Sequence, residues 1–265
     1  MTDSRLFSWL AASPPDDSSG TYSLITIESV GPLDAPISKE VTQALISARI
    51  HDAFIAKARL RLSKPKYEKL LAAADPGDYL TRAGDFGEIV AAEALHALFG
   101  YYLPVKKLRF KIRKEDQPTG IDIVAFKVAE DQRTIREVCY TESKLRTTTN
   151  TTFARDAHDQ LKRTWKAAEG ELHVFVGSIL EDKQDPVLNS FYDFLNGESG
   201  ITVSFCLALH SDKDAWSNTA LTNLHELPPT LEPLLVHLYR IEHLADAIKS
   251  CFDSIGVAIE DDDDD

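Results

Sequence analysis

Two neighbouring segments in the middle of the chain, between Gly120 and Arg146, constrain the fold more than any other part of the sequence. Their composition and apolar spacing predict one strand from about Ile121 to Val128 and a second from about Arg136 to Leu145. Successive side chains of a strand point to opposite faces, so Glu142 and Lys144 lie on the same face. The sequence therefore predicts a strand pair that carries an acid and an amine side by side near one end.

A second acid, Asp122, stands at the start of the first strand. If the two strands pair, Asp122 meets Glu142, and Lys144 lies beside both. Two carboxylates and an ammonium group suit a Mg²⁺ ion with an activated water, because hard cations prefer oxygen ligands. The alternative is an ion pair at the end of a sheet, and the spacing alone leaves both interpretations open.

Composition places the chain among globular proteins of a reducing compartment. Its 265 residues fit one large domain, or one domain with an appendage. Its three cysteines lie in apolar segments without metal-ligand spacing, which favours buried thiols. No stretch has the apolar length of a membrane span, and the first residues do not form a signal peptide. We therefore expect a cytoplasmic protein with no membrane partner.

Charge is unevenly distributed along the chain. The formal net charge is −13, which by itself argues against a nucleic-acid partner. Six of the negative charges belong to the run Glu260 to Asp265, which predicts an acidic disordered tail over residues 257–265. Between Tyr101 and Gly170, fifteen Lys and Arg stand against ten Asp and Glu. The positive charge thus surrounds the central strands, where a polyanion could bind.

An amphipathic helix is predicted from Asp85 to Phe99, ending at Gly100. Glu88 shares the apolar face of this helix, where a carboxylate is costly without a partner. It is either a first-turn acid that stays hydrated or a third acid that reaches the central pair. Residues 1–80 contain no recognisable chemistry and are predicted to be an accessory, partner-contacting region.

Two further segments carry basic residues. The segment from Lys106 to Lys114 alternates so sharply that it predicts a strand with one apolar face. Its other face is a basic row suited to phosphate contacts, or else a charged edge strand: Lys107, Arg109, Lys111 and Arg113. After the central strands, Arg146 opens a polar loop, and a helix is predicted from Phe153 to about Ala168 with Gln160 and Arg163 on its flanks.

The remaining elements complete an α/β pattern. Strands are predicted at Glu171–Leu180 and Ile201–Leu209, and a long helical region from about Leu231 to Phe252. Helix, three-strand meander, helix and strand together predict an α/β fold with a mixed sheet flanked by helices. This main domain is expected to cover residues 81–256.

In this order the motifs resemble the restriction-endonuclease-like fold of the PD-(D/E)xK nuclease superfamily. Glu142-Ser143-Lys144 matches the Glu-x-Lys element in full, and Asp122 stands for the acid of the Pro-Asp element, with Ile121 where proline is often found. Glu88 matches the acid on the first core helix, and Gln160 more loosely matches a polar residue on the helix after the motif. The resemblance covers about residues 83–210.

The resemblance implies Mg²⁺-dependent hydrolysis of phosphodiester bonds, with Mn²⁺ as a substitute. Asp122, Glu142 and the carbonyl of Ser143 would hold the metal, and Glu88 would support it. Lys144 would position or deprotonate the water. A basic surface, with Arg146, Gln160 and Arg163 near the motif, would contact DNA. The sequence shows no recognisable sequence-reading element such as a helix-turn-helix or zinc finger, so little sequence specificity is expected.

The arrangement is also similar to the HamA family, the nuclease subunit of Hachiman-type bacterial anti-phage defence. This similarity implies a helicase partner that restrains the nuclease. Two other functions stay open: a catalytically silent nuclease-fold subunit that binds or regulates, and a different metal enzyme or structural domain in which the acids are ion-pair partners.

Overall fold

A six-stranded mixed sheet forms the centre of the computed structural model, which describes residues 8–110, 120–197, 200–225 and 230–256. In spatial order the strands are β1, β2, β6, β5, β4 and β3. The inner four pair in parallel, whereas the edge strands β1 and β3 pair antiparallel with their neighbours. The strands are β1 Leu10–Ala12, β2 Ser23–Ser29, β3 Ile123–Val128, β4 Ile135–Arg146, β5 Thr202–Asp212 and β6 Leu234–Ile241.

Helices cover both faces of this sheet, as parallel strands require. The helices α1, α4 and α8 cover one face, and α5, α6 and α7 cover the other. The described part of the chain forms eight: α1 Ala35–Arg49, α2 Asp52–Arg61, α3 Lys64–Ala72, α4 Tyr79–Ala97, α5 Phe153–Asp182, α6 Leu188–Leu195, α7 Thr219–His225 and α8 Leu244–Asp253. The prediction of an α/β fold with a mixed sheet flanked by helices is confirmed.

Three local predictions were wrong. The expected strand at Lys106–Lys114 is a 3₁₀ turn at Lys107–Phe110, and residues 111–119 lie outside the described part. The expected strand at Glu171–Leu180 is the second half of α5, because Val176 and Leu180 are four residues apart and both buried. The predicted C-terminal helical region is instead the buried strand β6 followed by α8. Because β6 is covered on both faces, its apolar residues do not alternate with polar ones, and their spacing cannot distinguish a strand from a helix.

The N-terminal residues belong to the same sheet as the central motif. Strand β2 pairs in parallel with β6, and Trp9, β2 and α1 contribute to the core that also holds α4 and α8. Asp34 and Asp78 cap α1 and α4 by accepting hydrogen bonds from backbone N–H groups, which explains why α4 begins six residues before its predicted start. Partner contact by residues 1–80 stays a prediction, and residues 257–265 lie outside the described part.

A glycine allows α4 to approach β4 closely. A Cβ at Gly87 would lie 3.1 Å from Ser143 Oγ and 3.4 Å from a ring carbon of His210.

Gly87→Val is therefore expected to destabilise the protein by about 1–3 kcal/mol, because the helix and strand must separate. At Gly84, on the same helix, an added Cβ meets nothing within 4 Å. Gly84→Ala should stabilise by up to about 1 kcal/mol. Denaturant unfolding measures both, and similar shifts for the two variants would contradict this packing.

Two histidines are buried beneath α4. His210 is stacked on Tyr239 at 4.3 Å between ring centroids, and His237 on Phe99 at 4.4 Å. Among the described residues, neither ring nitrogen of His210 has a hydrogen-bond partner. Nδ1 of His237 has none either. Burial lowers the pKa of His210 to about 3 and that of His237 to about 4.

Stability is therefore expected to fall as the pH drops below about 6.5. Between that pH and the lowered pKa values, the unfolded chain binds protons at His210 and His237 that the folded chain does not. Each residue should remove about 2 kcal/mol of stability between pH 7 and pH 5. Denaturant unfolding of His237→Phe should show a pH dependence weaker by that amount, with the exposed His243→Asn as control. An unchanged dependence in His237→Phe would refute the buried neutral state.

Candidate functional site

The central motif opens into a cleft at the carboxyl end of β4. The cleft has a volume of about 540 Å³ and lies between the first half of α4, the start of β3, the end of β4 and α5. In sheets with parallel strands this is the usual position of a ligand site. The predicted site residues that line it are Glu88, Asp122, Glu142, Ser143, Lys144, Arg146 and Gln160.

Asp122 and Glu142, called the acidic pair below, are brought together by strand register. The antiparallel pairing of Ile123 with Thr141 places Asp122 at the level of Glu142. Asp122 Oδ2 accepts a hydrogen bond of 2.9 Å from the backbone N–H of Ser143. Lys144 Nζ lies 3.2 Å from Glu142 Oε1. The structure thus places both acids and Lys144 together, as the alternation of the strand predicted.

Glu142 is the most unusual group in the cleft. It is 2% exposed, and its Oε2 has no hydrogen-bond partner among the described residues. Burial, and after it the negative charge of Asp122, raise the pKa of Glu142 to about 8, although Lys144 and Lys107 act in the opposite direction. A buried carboxylate oxygen without a partner costs free energy of folding, so the arrangement is unfavourable unless a ligand supplies the missing contact.

Lys107 lies beside Asp122 rather than in a surface row. Because residues 107–110 turn instead of extending, its ammonium group points at the start of β3. It donates to the carbonyl oxygens of Ile121 at 2.8 Å and Gly120 at 3.1 Å, and lies 3.7 Å from Asp122 Oδ1. The predicted basic row is therefore not formed by this residue. The side chain of Arg109, and Lys111 and Arg113 entirely, lie outside the described residues.

The other predicted residues surround the acidic pair at different depths. Glu88 is half-buried on α4 and lines the cleft. Arg146 is exposed at the end of β4, and its guanidinium donates to the carbonyl of Leu145. On α5, Gln160 lines the cleft, and its side-chain oxygen accepts a hydrogen bond from the exposed Arg163. Cationic and amide groups are thus present along one wall of the cleft.

An ion pair that sequence reasoning missed supports the opposite wall. Asp85, which lines the cleft one turn before Glu88, accepts hydrogen bonds from Nε of Arg49 at 2.8 Å and from its Nη2. The side chains are only 1% and 6% exposed. Arg49 is the last residue of α1, 36 positions earlier in the chain, so only the tertiary structure reveals the pair. The one sequence feature that could have indicated this pair is Asp85 itself, an acid at a buried position in the first turns of α4.

The donor set of the cleft fits a hard divalent cation. Two carboxylates, one with an orphaned buried oxygen, stand beside the backbone of Ser143. Over the described chain, however, no three acid, imidazole or thiol groups converge closely enough to form a metal-ligand cluster. Glu88 shares the cleft with the acidic pair, and its role as a supporting ligand stays a prediction. Mg²⁺ suits such a site, because it typically keeps several waters and takes one or two protein carboxylates.

The fold and cleft define an α/β protein with an acid and ammonium site at the end of a mixed sheet. The family model of HamA matches residues 35–255, which is most of the chain and includes every element around the cleft. The chain belongs to the HamA family, and this membership associates it with Hachiman-type anti-phage defence. No curated protein matches the chain. Over the described residues, every helix is too short or too polar to cross a membrane.

Proposed function

We propose that this protein is a metal-dependent nuclease that hydrolyses phosphodiester bonds of DNA in anti-phage defence, together with a helicase partner. The observation that carries the proposal is the buried, orphaned carboxylate of Glu142 beside Asp122 and Lys144 in an open cleft. A purely structural ion pair would leave no acceptor unsatisfied. Membership in the HamA family supports the defence context.

Each residue of the cleft has a distinct task in this proposal. Asp122 and Glu142 would hold Mg²⁺, and the chemistry that the ion would supply there is a lowered pKa of a water and neutralisation of charge on the phosphate. Lys144, 27% exposed and 3.2 Å from Glu142, reaches both the cleft and the acidic pair. Its ammonium group orients the attacking water and stabilises negative charge that develops on the phosphate.

The walls of the cleft bind the rest of the substrate. Arg146 and Arg163 are exposed cations on the side of the cleft formed by β4 and α5, where they can contact phosphates. Gln160 lies between Arg163 and the cleft and can donate its amide N–H groups to the backbone of the substrate. Contacts to phosphate carry no sequence information, so cleavage should depend little on base sequence.

The test is cleavage of supercoiled plasmid by the purified chain with Mg²⁺ or Mn²⁺, alone and with a candidate helicase partner. Wild type should nick or degrade the plasmid, and Asp122→Asn and Lys144→Met should not. The control is Lys166→Met, a substitution of an exposed amine on α5. Loss of cleavage in the two site variants but not in the control supports the proposal. Intact plasmid under every condition, with and without the partner, would refute it.

A further inference from the structure

Lys107 is held in the site by three oxygen atoms rather than by solvent. Its ammonium group contacts the carbonyls of Gly120 and Ile121 and faces Asp122 Oδ1, and its side chain is 12% exposed. Two carbonyl oxygens and a carboxylate are a typical environment for a bound cation. In this protein that environment is filled by a side chain of the chain itself.

The contacts of Lys107 also fix where Asp122 can lie. Gly120 adopts φ +99, a left-handed conformation that turns the chain just before β3. Lys107 binds the carbonyls on both sides of the Gly120–Ile121 junction, and the N–H of Ser143 binds the other oxygen of Asp122. The position of Asp122 is therefore set from two sides, once by β4 and once by Lys107.

Each acid of the acidic pair faces an ammonium group that the chain itself supplies. Asp122 faces the ammonium group of Lys107 at 3.7 Å, and Glu142 faces that of Lys144 at 3.2 Å. With both carboxylates ionised, as metal binding requires, one divalent ion would leave the two acids and two amines with an excess of two positive charges, which Glu88 and a substrate phosphate can offset. A second divalent ion would double that excess within a few ångströms, which Coulomb repulsion disfavours.

We propose that Lys107 is a positioning residue whose ammonium group serves as the resident cation of the acidic pair, so that the cleft takes up one divalent ion rather than two. The inference rests on the proposed function, since it concerns the metal that the nuclease would use. It assigns Lys107 to the metal site, and not to the surface that binds nucleic acid.

The experiment is a titration of the full-length chain with Mn²⁺ in the absence of nucleic acid, with free Mn²⁺ measured by electron paramagnetic resonance. Wild type should bind one Mn²⁺ per chain. Lys107→Met should bind Mn²⁺ roughly tenfold more tightly, because a positive charge near the ion is removed, although its cleavage rate falls. Lys107→Arg should keep an affinity close to that of wild type.

Lys106→Met is the matched control, because the neighbouring Lys106 donates to Ser47 Oγ at 2.8 Å and not to the acidic pair. Its Mn²⁺ affinity should be unchanged. A merely structural role for Lys107 would lower activity and melting temperature without tightening Mn²⁺ binding.

The outcomes separate the inference from the proposed function. Two Mn²⁺ ions per wild-type chain would overturn the inference, as would equal affinities of wild type and folded Lys107→Met. If Lys107→Met does not fold, the wild-type stoichiometry and the Lys107→Arg affinity decide. Failure of the proposed function looks different: wild type would bind no Mn²⁺, or Glu142→Gln would bind it as well as wild type.

Discussion

Glu142→Gln is expected to abolish metal-dependent cleavage while leaving the protein as stable as wild type, or more stable. The substitution removes a carboxylate that would hold the metal, and activity should fall on the order of a thousandfold. Loss of activity usually accompanies loss of folding when a buried residue is changed. Here the two should move in opposite directions, because Glu142 is buried with an oxygen that has no partner among the described residues.

The sign of the stability change follows from the pKa of Glu142. Burial raises this pKa to about 8, so between about pH 4.5 and pH 8 the unfolded chain releases a proton that the folded chain keeps. Metal-free wild type therefore loses stability at this residue as the pH rises. Glutamine does not ionise, so Glu142→Gln should gain on the order of 1–3 kcal/mol relative to wild type at pH 8 and little at pH 5.

Cleavage assays and denaturant unfolding at both pH values, without metal, test the two parts together. The control is Glu130→Gln, since Glu130 is an exposed acid in the loop between β3 and β4. It should change neither quantity. A Glu142→Gln protein that still cleaves DNA would show that Glu142 is not catalytic. A stability gain over wild type that is smaller at pH 8 than at pH 5 would contradict the raised pKa of buried Glu142.

Arg49→Met should be the most destabilising of the proposed substitutions. It leaves the carboxylate of Asp85 buried without the guanidinium that binds it, and breaking a buried ion pair from one side costs about 3–5 kcal/mol. Mn²⁺ binding in the cleft should change too, because Asp85 lies in the part of α4 that also carries Glu88. Unfolding in denaturant measures the stability, and Mn²⁺ binding reports the cleft.

A double substitution separates an unpaired charge from lost packing. Arg49→Met with Asp85→Leu removes both charges and should recover most of the stability lost in Arg49→Met alone. The matched control is Arg82→Met, because Arg82 pairs with Asp75 at 2.6 Å in a half-exposed position, 20% and 23% exposed. That loss should be about 1 kcal/mol or less. Equal losses for Arg49→Met and Arg82→Met would show that burial does not strengthen the first pair.

Local patterns in the sequence were sufficient to predict that Asp122, Glu142 and Lys144 lie together. The period of two in β4 places Glu142 and Lys144 on one face, and an antiparallel neighbour that begins at Asp122 brings the second acid beside them. The helical period of α4 likewise placed Glu88 on the side of the helix that lines the cleft, where it is half-buried. These inferences needed only residues a few positions apart, together with one pairing between neighbouring strands.

Only the tertiary structure decided which distant residues contact the walls of the cleft. Lys107 faces Asp122 because its segment turns where an alternating pattern predicted a strand, and Arg49 reaches Asp85 across 36 residues of sequence. Strand β6 was also hidden, since it is buried on both faces between β2 and β5. Alternation and helical period describe only which side of an element is apolar. Which element then covers that side, and which charge meets which, depends on long-range packing that no local pattern contains.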